Sequence, residues 1–95
     1  MKLDKLISAA AKAAHVDPVL LLGETTDRDI LSARAAAVYV ARWVHRLPPR
    51  EIAAAIGREN SFVNTALARA KRELADGKNN MAELIALLSK GKAAA

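Results

Sequence analysis

One short stretch of the sequence carries side chains that could read DNA bases. Residues 60–65, Asn-Ser-Phe-Val-Asn-Thr, follow directly after the triplet Gly-Arg-Glu at 57–59. Asparagine can form two hydrogen bonds with adenine, the hydroxyl residues can bond to either kind of base edge, and an apolar group can contact a thymine methyl. The alternative is that these residues only cap or pack a helix. The candidate base-contacting residues are Asn60, Ser61, Phe62, Asn64 and Thr65.

Basic residues surround this stretch. The whole chain has a net charge of +5, but residues 34–72 hold eight Lys and Arg against two Glu, a net charge of +6, whereas residues 1–33 have a net charge of −1. The planar guanidinium of arginine suits phosphate oxygens and guanine edges. A solvated basic face is the alternative, but clustering around one motif favours nucleic acid. The candidate cationic contacts are Arg34, Arg50, Arg58 and Arg69.

The sequence offers no set of residues for catalysis or metal binding. The two histidines, His15 and His45, are isolated from each other and from carboxylates at ligand spacing, and the chain has no cysteine. No nucleophile, base and orienting group can be assembled. We therefore expect neither an enzyme nor a metal or cofactor site. No apolar run reaches the length of a membrane span and no leader sequence is seen, so we expect a cytosolic protein without a membrane partner.

The elements that would hold these residues are helices. Apolar residues recur at helical spacing in several segments, alanine is abundant, and prolines and glycines fall between the segments. One all-α domain over residues 1–95 is predicted, a compact bundle of about six helices with its core between about residues 3 and 88. The predicted helices cover residues 2–14, 18–22, 28–46, a segment from the prolines at 48 and 49 to residue 56, residues 60–75 and a last segment from about residue 81.

Two of these helices matter most for the candidate site. The third is apolar on nearly all sides, which is typical of a central, buried helix. The fourth and fifth are separated by a turn at Gly57, and Val63 and Ala66 are placed to pack the fifth helix against the fourth. Short helix, glycine turn and second helix are the signature of a helix-turn-helix. Packing alone could require the same residues in an ordinary hairpin of two helices.

The stretch SARAAAVYVARWVHRLPPREIAAAIGRENSFV resembles the C-terminal DNA-binding domain of the bacterial replication initiator DnaA. The resemblance covers about residues 3–74, and its strongest matches are Ala33-Arg34, Tyr39, Ala41-Arg42, Glu51-Ile52, Gly57-Arg58 and Val63. It implies a helix-turn-helix bundle of the DnaA C-terminal or Trp-repressor-like type. It further implies double-stranded DNA as partner, with residues 59–62 in the major groove, Arg34 on the DNA, and a bacterial cytosolic or nucleoid location.

The chain also departs from the DnaA pattern. Residues 59–62 are Glu-Asn-Ser-Phe where that family has Asp-His-Thr-Thr, Ala35 replaces a glutamine, and the loop GETTDRD at 23–29 is acidic where the family places arginines. Loss of phosphate-neutralising and base-reading groups lowers both affinity and discrimination. Recognition of the initiator's own repeat is therefore not expected. The chain has no Gly-x4-Gly-Lys-Ser/Thr phosphate loop, and its departures favour a small stand-alone relative over an excised domain.

Three functions fit these residues. The first is a DNA-binding regulator of replication initiation or transcription. The second is a protein-interaction module that acts on the initiator or on regulators of its ATPase cycle without specific DNA binding. The acidic loop, Phe62 and Trp43 motivate the second function, although a tryptophan is more often a core residue. A phage or mobile-element repressor is the third.

Overall fold

Six α-helices make up the part of the chain that the computed structural model describes, which is residues 2–94, with side chains for residues 3–89. No strand occurs within these residues, so the predicted all-α class is confirmed. The radius of gyration is 11.7 Å, close to the roughly 12 Å expected for a compact chain of this length. The helices are α1 (Lys2–Ala13), α2 (Pro18–Leu22), α3 (Arg28–Trp43), α4 (Pro49–Ile56), α5 (Asn60–Asp76) and α6 (Met81–Ala94).

The third helix, α3, is the centre of the bundle. It packs against each of the other five helices, and ten of its sixteen residues are buried. Five of those ten are alanines, whose small side chains let neighbouring helices approach closely. The prediction of a central buried helix is therefore confirmed. The charged Arg34 is among the buried residues of α3.

Two aspartates begin the helices that flank the acidic loop. Asp17 precedes Pro18 and accepts a hydrogen bond from the backbone N–H of Val19 at 3.0 Å. Asp27 accepts from the N–H groups of Asp29 at 2.9 Å and Ile30 at 3.3 Å. Such caps satisfy N–H groups that lack a partner in the first turn. Asp27, one of the three acidic residues of the loop, therefore caps the N-terminus of α3.

The predicted end of α3 at Arg46 is wrong, because the helix ends at Trp43. Arg46 adopts a left-handed conformation with φ of +60°, and the backbone N–H of Leu47 bonds to the carbonyl of Ala41 at 3.1 Å. This reversal of the chain ends α3 before Pro48 and Pro49. A left-handed arginine is uncommon, and the sequence alone gave no signal for it. The other predicted boundaries of α1 and α5 differ by one residue each.

The turn between α4 and α5 depends on Gly57. This residue has φ of +70° and ψ of 32°, a left-handed conformation that residues with a Cβ rarely adopt. The N–H of Arg58 bonds to the carbonyl of Ala53 at 3.0 Å and closes the end of α4. The chain then runs directly into α5 at Asn60, so the first turn of α5 lies just after the reversal.

Candidate nucleic-acid interface

The helix α5 has one face in the core and one face in solvent. Val63, Ala66 and Ala70 are buried, as predicted. The opposite side of the first turns consists of polar residues that are all exposed, which are Asn60, Ser61, Asn64 and Thr65. Their hydrogen-bonding groups are therefore open to a ligand. We call these four residues the α5 polar face.

Phe62, the fifth candidate for base contact, has a different position. Its ring is half-buried between two arginines: the guanidinium carbon of Arg34 lies 4.5 Å from the ring centroid, and that of Arg58 lies 4.3 Å from it. A guanidinium over an aromatic face is attracted by the ring quadrupole. The structure thus brings three of the predicted site residues together, in one stack at the start of α5.

The same two arginines also bind the end of α2. Arg34 donates from Nε to the carbonyl of Leu21 at 2.7 Å and from Nη2 to the carbonyl of Gly23. Arg58 donates from Nη1 to the carbonyl of Leu22 at 2.7 Å. Carbonyls at the end of a helix have no partner within the helix and carry partial negative charge. The two side chains therefore cap α2 and join it to the start of α5.

Arg34 is only 9% exposed, which sets it apart from the other candidate residues. Burial, followed by the positive charges of Arg58 and Arg69, lowers the pKa of Arg34 from its ordinary value. The charge is thus unfavourable at this position, and the carbonyls and the Phe62 ring offset its cost. The expected contact of Arg34 with DNA stays a prediction, while the observed contacts give the residue a structural role.

Arg69 belongs to a second polar group, which surrounds the buried carboxylate of Glu73. Its Nε lies 2.8 Å from Oε2 of Glu73 on the next turn of α5, and Oε1 of Glu73 accepts a hydrogen bond of 2.8 Å from the hydroxyl of Ser32 on α3. Glu73 is buried, with Oε1 hydrogen-bonded to Ser32 and Oε2 within ion-pair distance of Arg69. Sequence reasoning missed Glu73. Two signals in the sequence could have indicated its role. Glu73 follows Arg69 by four residues, the spacing of an ion pair on one helix face, and Ser32 is the lone serine of the apolar helix α3.

A groove of about 480 Å³ runs along α5 beside the α5 polar face. Its lining includes Leu31 of α3, Phe62, Ser61 and Thr65 of α5, and the acidic Glu59 that precedes α5. Arg69 and Arg72 border the same groove, and Arg72 is exposed. The groove thus places cations beside hydroxyl groups.

Arg50, by contrast, lies exposed on α4, and no observed contact connects it to the other candidates in the described side chains.

Comparison with protein-family models and with curated proteins finds no match for this chain. The chemistry of the α5 polar face and its neighbouring cations is therefore the basis on which a function can be proposed.

Trp43 lies on the surface and not in the core. Its side chain is 46% exposed at the end of α3. The guanidinium carbon of Arg42 lies 4.2 Å from the centroid of the Trp43 ring, and Nζ of Lys71 on α5 lies 5.7 Å from the same centroid. The sequence placed Trp43 and Lys71 in a basic segment but did not predict that they meet.

Two features are absent from the part of the chain that the structure describes. Among residues whose positions are described, no group of three or more His, Asp or Glu side chains is arranged to hold a metal ion. Within the same part of the chain, no helix is both long and apolar enough to cross a membrane.

Proposed function

We propose that this chain is a DNA-binding regulatory protein, which acts in replication initiation or transcription and uses α4 and α5 as a helix-turn-helix. The observation that supports this most is the α5 polar face. Asn60, Ser61, Asn64 and Thr65 are exposed together at the start of α5, while the opposite side of the same helix is buried. Recognition helices contact base edges with residues near their N-terminus.

The side chains of the α5 polar face have the chemistry that base reading needs. The amide groups of Asn60 and Asn64 can each donate to and accept from adenine, and the hydroxyls of Ser61 and Thr65 can bond to any base edge. The B-DNA major groove is about 12 Å wide and admits an α-helix. In this proposal the α5 polar face enters the groove.

Cations along α5 provide the sequence-independent part of binding. Lys71 and Arg72 are both exposed in the second half of the helix. Contacts with phosphates release counterions, so that affinity falls steeply with salt. Arg69 contributes less in this proposal, because its side chain is ion-paired with Glu73.

In this proposal the stack of Arg34, Phe62 and Arg58 positions the reading residues. Phe62 is in the first turn of α5, next to Ser61. The two arginines that stack on its ring, Arg34 and Arg58, donate hydrogen bonds to carbonyls at the end of α2. A fixed first turn keeps the side chains of the α5 polar face in one orientation, which lowers the entropy lost on binding.

The proposal can be tested with labelled duplexes. We would select preferred duplexes from a randomised pool, then measure fluorescence anisotropy for the selected duplex and a scrambled one at 50 and 200 mM salt. Asn60→Ala and Asn64→Ala test base contact, and Ser8→Ala on α1 is a matched control because Ser8 is also exposed. Failure of the full chain to bind any duplex at low salt would overturn the proposal.

An apolar surface on α2 favours a second candidate, the protein-interaction module. Val19 is 76% exposed and Leu20 is 52% exposed, beside a groove of about 270 Å³ lined in part by Ile7, Leu22 and Ile56. Exposed apolar patches of this kind often mark contacts with other proteins. A titration with purified replication initiator would test this candidate. Loss of binding in Val19→Glu, with duplex binding unchanged, would support it.

A further inference from the structure

The indole of Trp43 is held between two cations at the surface. It is the single tryptophan of the chain. Arg42 and Lys71 both lie near its ring, at 4.2 and 5.7 Å from the centroid. We call Arg42, Trp43 and Lys71 the Trp43 cluster. Because cation–π attraction restrains both cations beside the ring, the cluster presents two positive charges and an exposed apolar surface in one place.

The position of Lys71 on α5 relates this cluster to the α5 polar face. Asn60, Asn64 and Lys71 are separated by four and seven residues, so they follow one line along the helix surface at 3.6 residues per turn. Lys71 lies about 10 Å along the axis from Asn64, given a rise of 1.5 Å per residue. The major groove is about 12 Å wide. A helix with Asn64 at the base edges would therefore bring Lys71 close to a phosphate strand at the edge of the groove.

We infer that the Trp43 cluster contacts the sugar–phosphate backbone of the duplex that the α5 polar face binds. In this arrangement Lys71 neutralises a phosphate, and the exposed part of the indole packs on deoxyribose beside it. The inference rests on the proposed DNA binding and adds to it a second surface, formed by α3 and α5 together. It also gives the half-exposed tryptophan a function, since an aromatic residue of this size is otherwise mostly buried.

The single tryptophan makes the inference directly measurable. Duplex would be titrated into the full chain while two signals are followed, the anisotropy of the labelled DNA and the emission of Trp43. We expect the emission to change along the same binding curve. We also expect iodide to quench Trp43 less in the complex than in the free chain.

Two lysine variants provide the matched comparison. Lys71→Ala removes one cation of the cluster, and Lys5→Ala removes another exposed cation, from α1. Neither side chain is buried, so both variants should keep the helical content of the parent. Lys71→Ala is expected to reduce the slope of log K against log salt by about one, whereas Lys5→Ala leaves it unchanged.

The outcomes separate this inference from the proposed function. Duplex binding with unchanged iodide access to Trp43 and an unchanged salt slope in Lys71→Ala overturns the inference and leaves the proposed function in place. Absence of duplex binding overturns both. Protection of Trp43 by polyglutamate but not by duplex would assign the cluster to an acidic protein partner and overturn the inference as well.

Discussion

The guanidinium of Arg34 on the central helix stacks on the ring of Phe62 in the first turn of α5, with 4.5 Å between the guanidinium carbon and the ring centroid. The same guanidinium donates to the carbonyls of Leu21 and Gly23 at the end of α2. One buried side chain therefore connects three helices. This contact links the start of the proposed DNA-binding helix to the end of α2.

Replacement of Arg34 by alanine is expected to destabilise the fold by about 2–4 kcal/mol. The variant loses two charge-assisted hydrogen bonds and the stack on Phe62, and it leaves the carbonyls of Leu21 and Gly23 without this partner. Urea unfolding followed by circular dichroism measures the change. Arg50→Ala, at an exposed arginine on α4, is the control and should lie within about 0.5 kcal/mol of the parent. Equal stability of the two variants would contradict the structural role of Arg34.

The buried hydrogen bond between Ser32 and Glu73 should appear as energetic coupling. The hydroxyl of Ser32 donates to Glu73 at 2.8 Å, and both residues are buried. Residues in direct contact typically show coupling energies of about 0.5–3 kcal/mol in a double-mutant cycle. We expect that Ser32→Ala and Glu73→Gln, alone and combined, give a value in this range. Additive effects would show that the bond contributes nothing measurable.

Gly57 should tolerate substitution poorly for a conformational reason. A Cβ added there meets no atom within 4 Å, so space is available, but φ of +70° is unfavourable for residues with a side chain. Gly57→Ala should therefore lower stability by about 1–2 kcal/mol, and Gly57→Asn by less, because asparagine tolerates the left-handed region better. Thermal unfolding of the two variants tests the order. A more stable alanine variant would be incompatible with the observed turn.

Loss of a base contact and loss of a phosphate contact should change the salt dependence of DNA affinity differently. Asn60→Ala and Asn64→Ala should each weaken binding to a preferred duplex by about tenfold, with the slope of log K against log salt unchanged. Arg72→Ala should instead weaken binding to all duplexes alike and reduce that slope by about one. Anisotropy titrations at four salt concentrations distinguish the two patterns. A uniform loss in all three variants would mean that the α5 polar face does not read bases.

Local signals in the sequence predicted the helices well. Gly57 turns the chain between α4 and α5 as expected. The apolar character of nearly all sides of α3 predicted its central position, and the spacing of Val63 and Ala66 predicted the buried stripe of α5. The end of α3 was predicted three residues too late, because the left-handed conformation of Arg46 follows from no local preference of arginine.

The candidate site was harder to predict, since its contacts join residues far apart in the sequence. Arg34 was expected at the surface, but carbonyls eleven and thirteen residues earlier in the chain bind it in the interior. Glu73 is buried because Ser32, 41 residues away, donates to it. Neither pairing leaves a periodic pattern. The exposed residues 60, 61, 64 and 65 were identifiable because helical spacing alone decides which side of α5 they occupy.

The most direct test of the account is a titration of the full chain with labelled duplex DNA at 50 and 200 mM salt. With about four phosphates neutralised, affinity should fall roughly a hundredfold between the two conditions. Asn64→Ala should weaken the binding of a selected duplex, and Ser8→Ala should not. Absence of duplex binding at 50 mM salt, or binding that does not change with salt, would contradict the account.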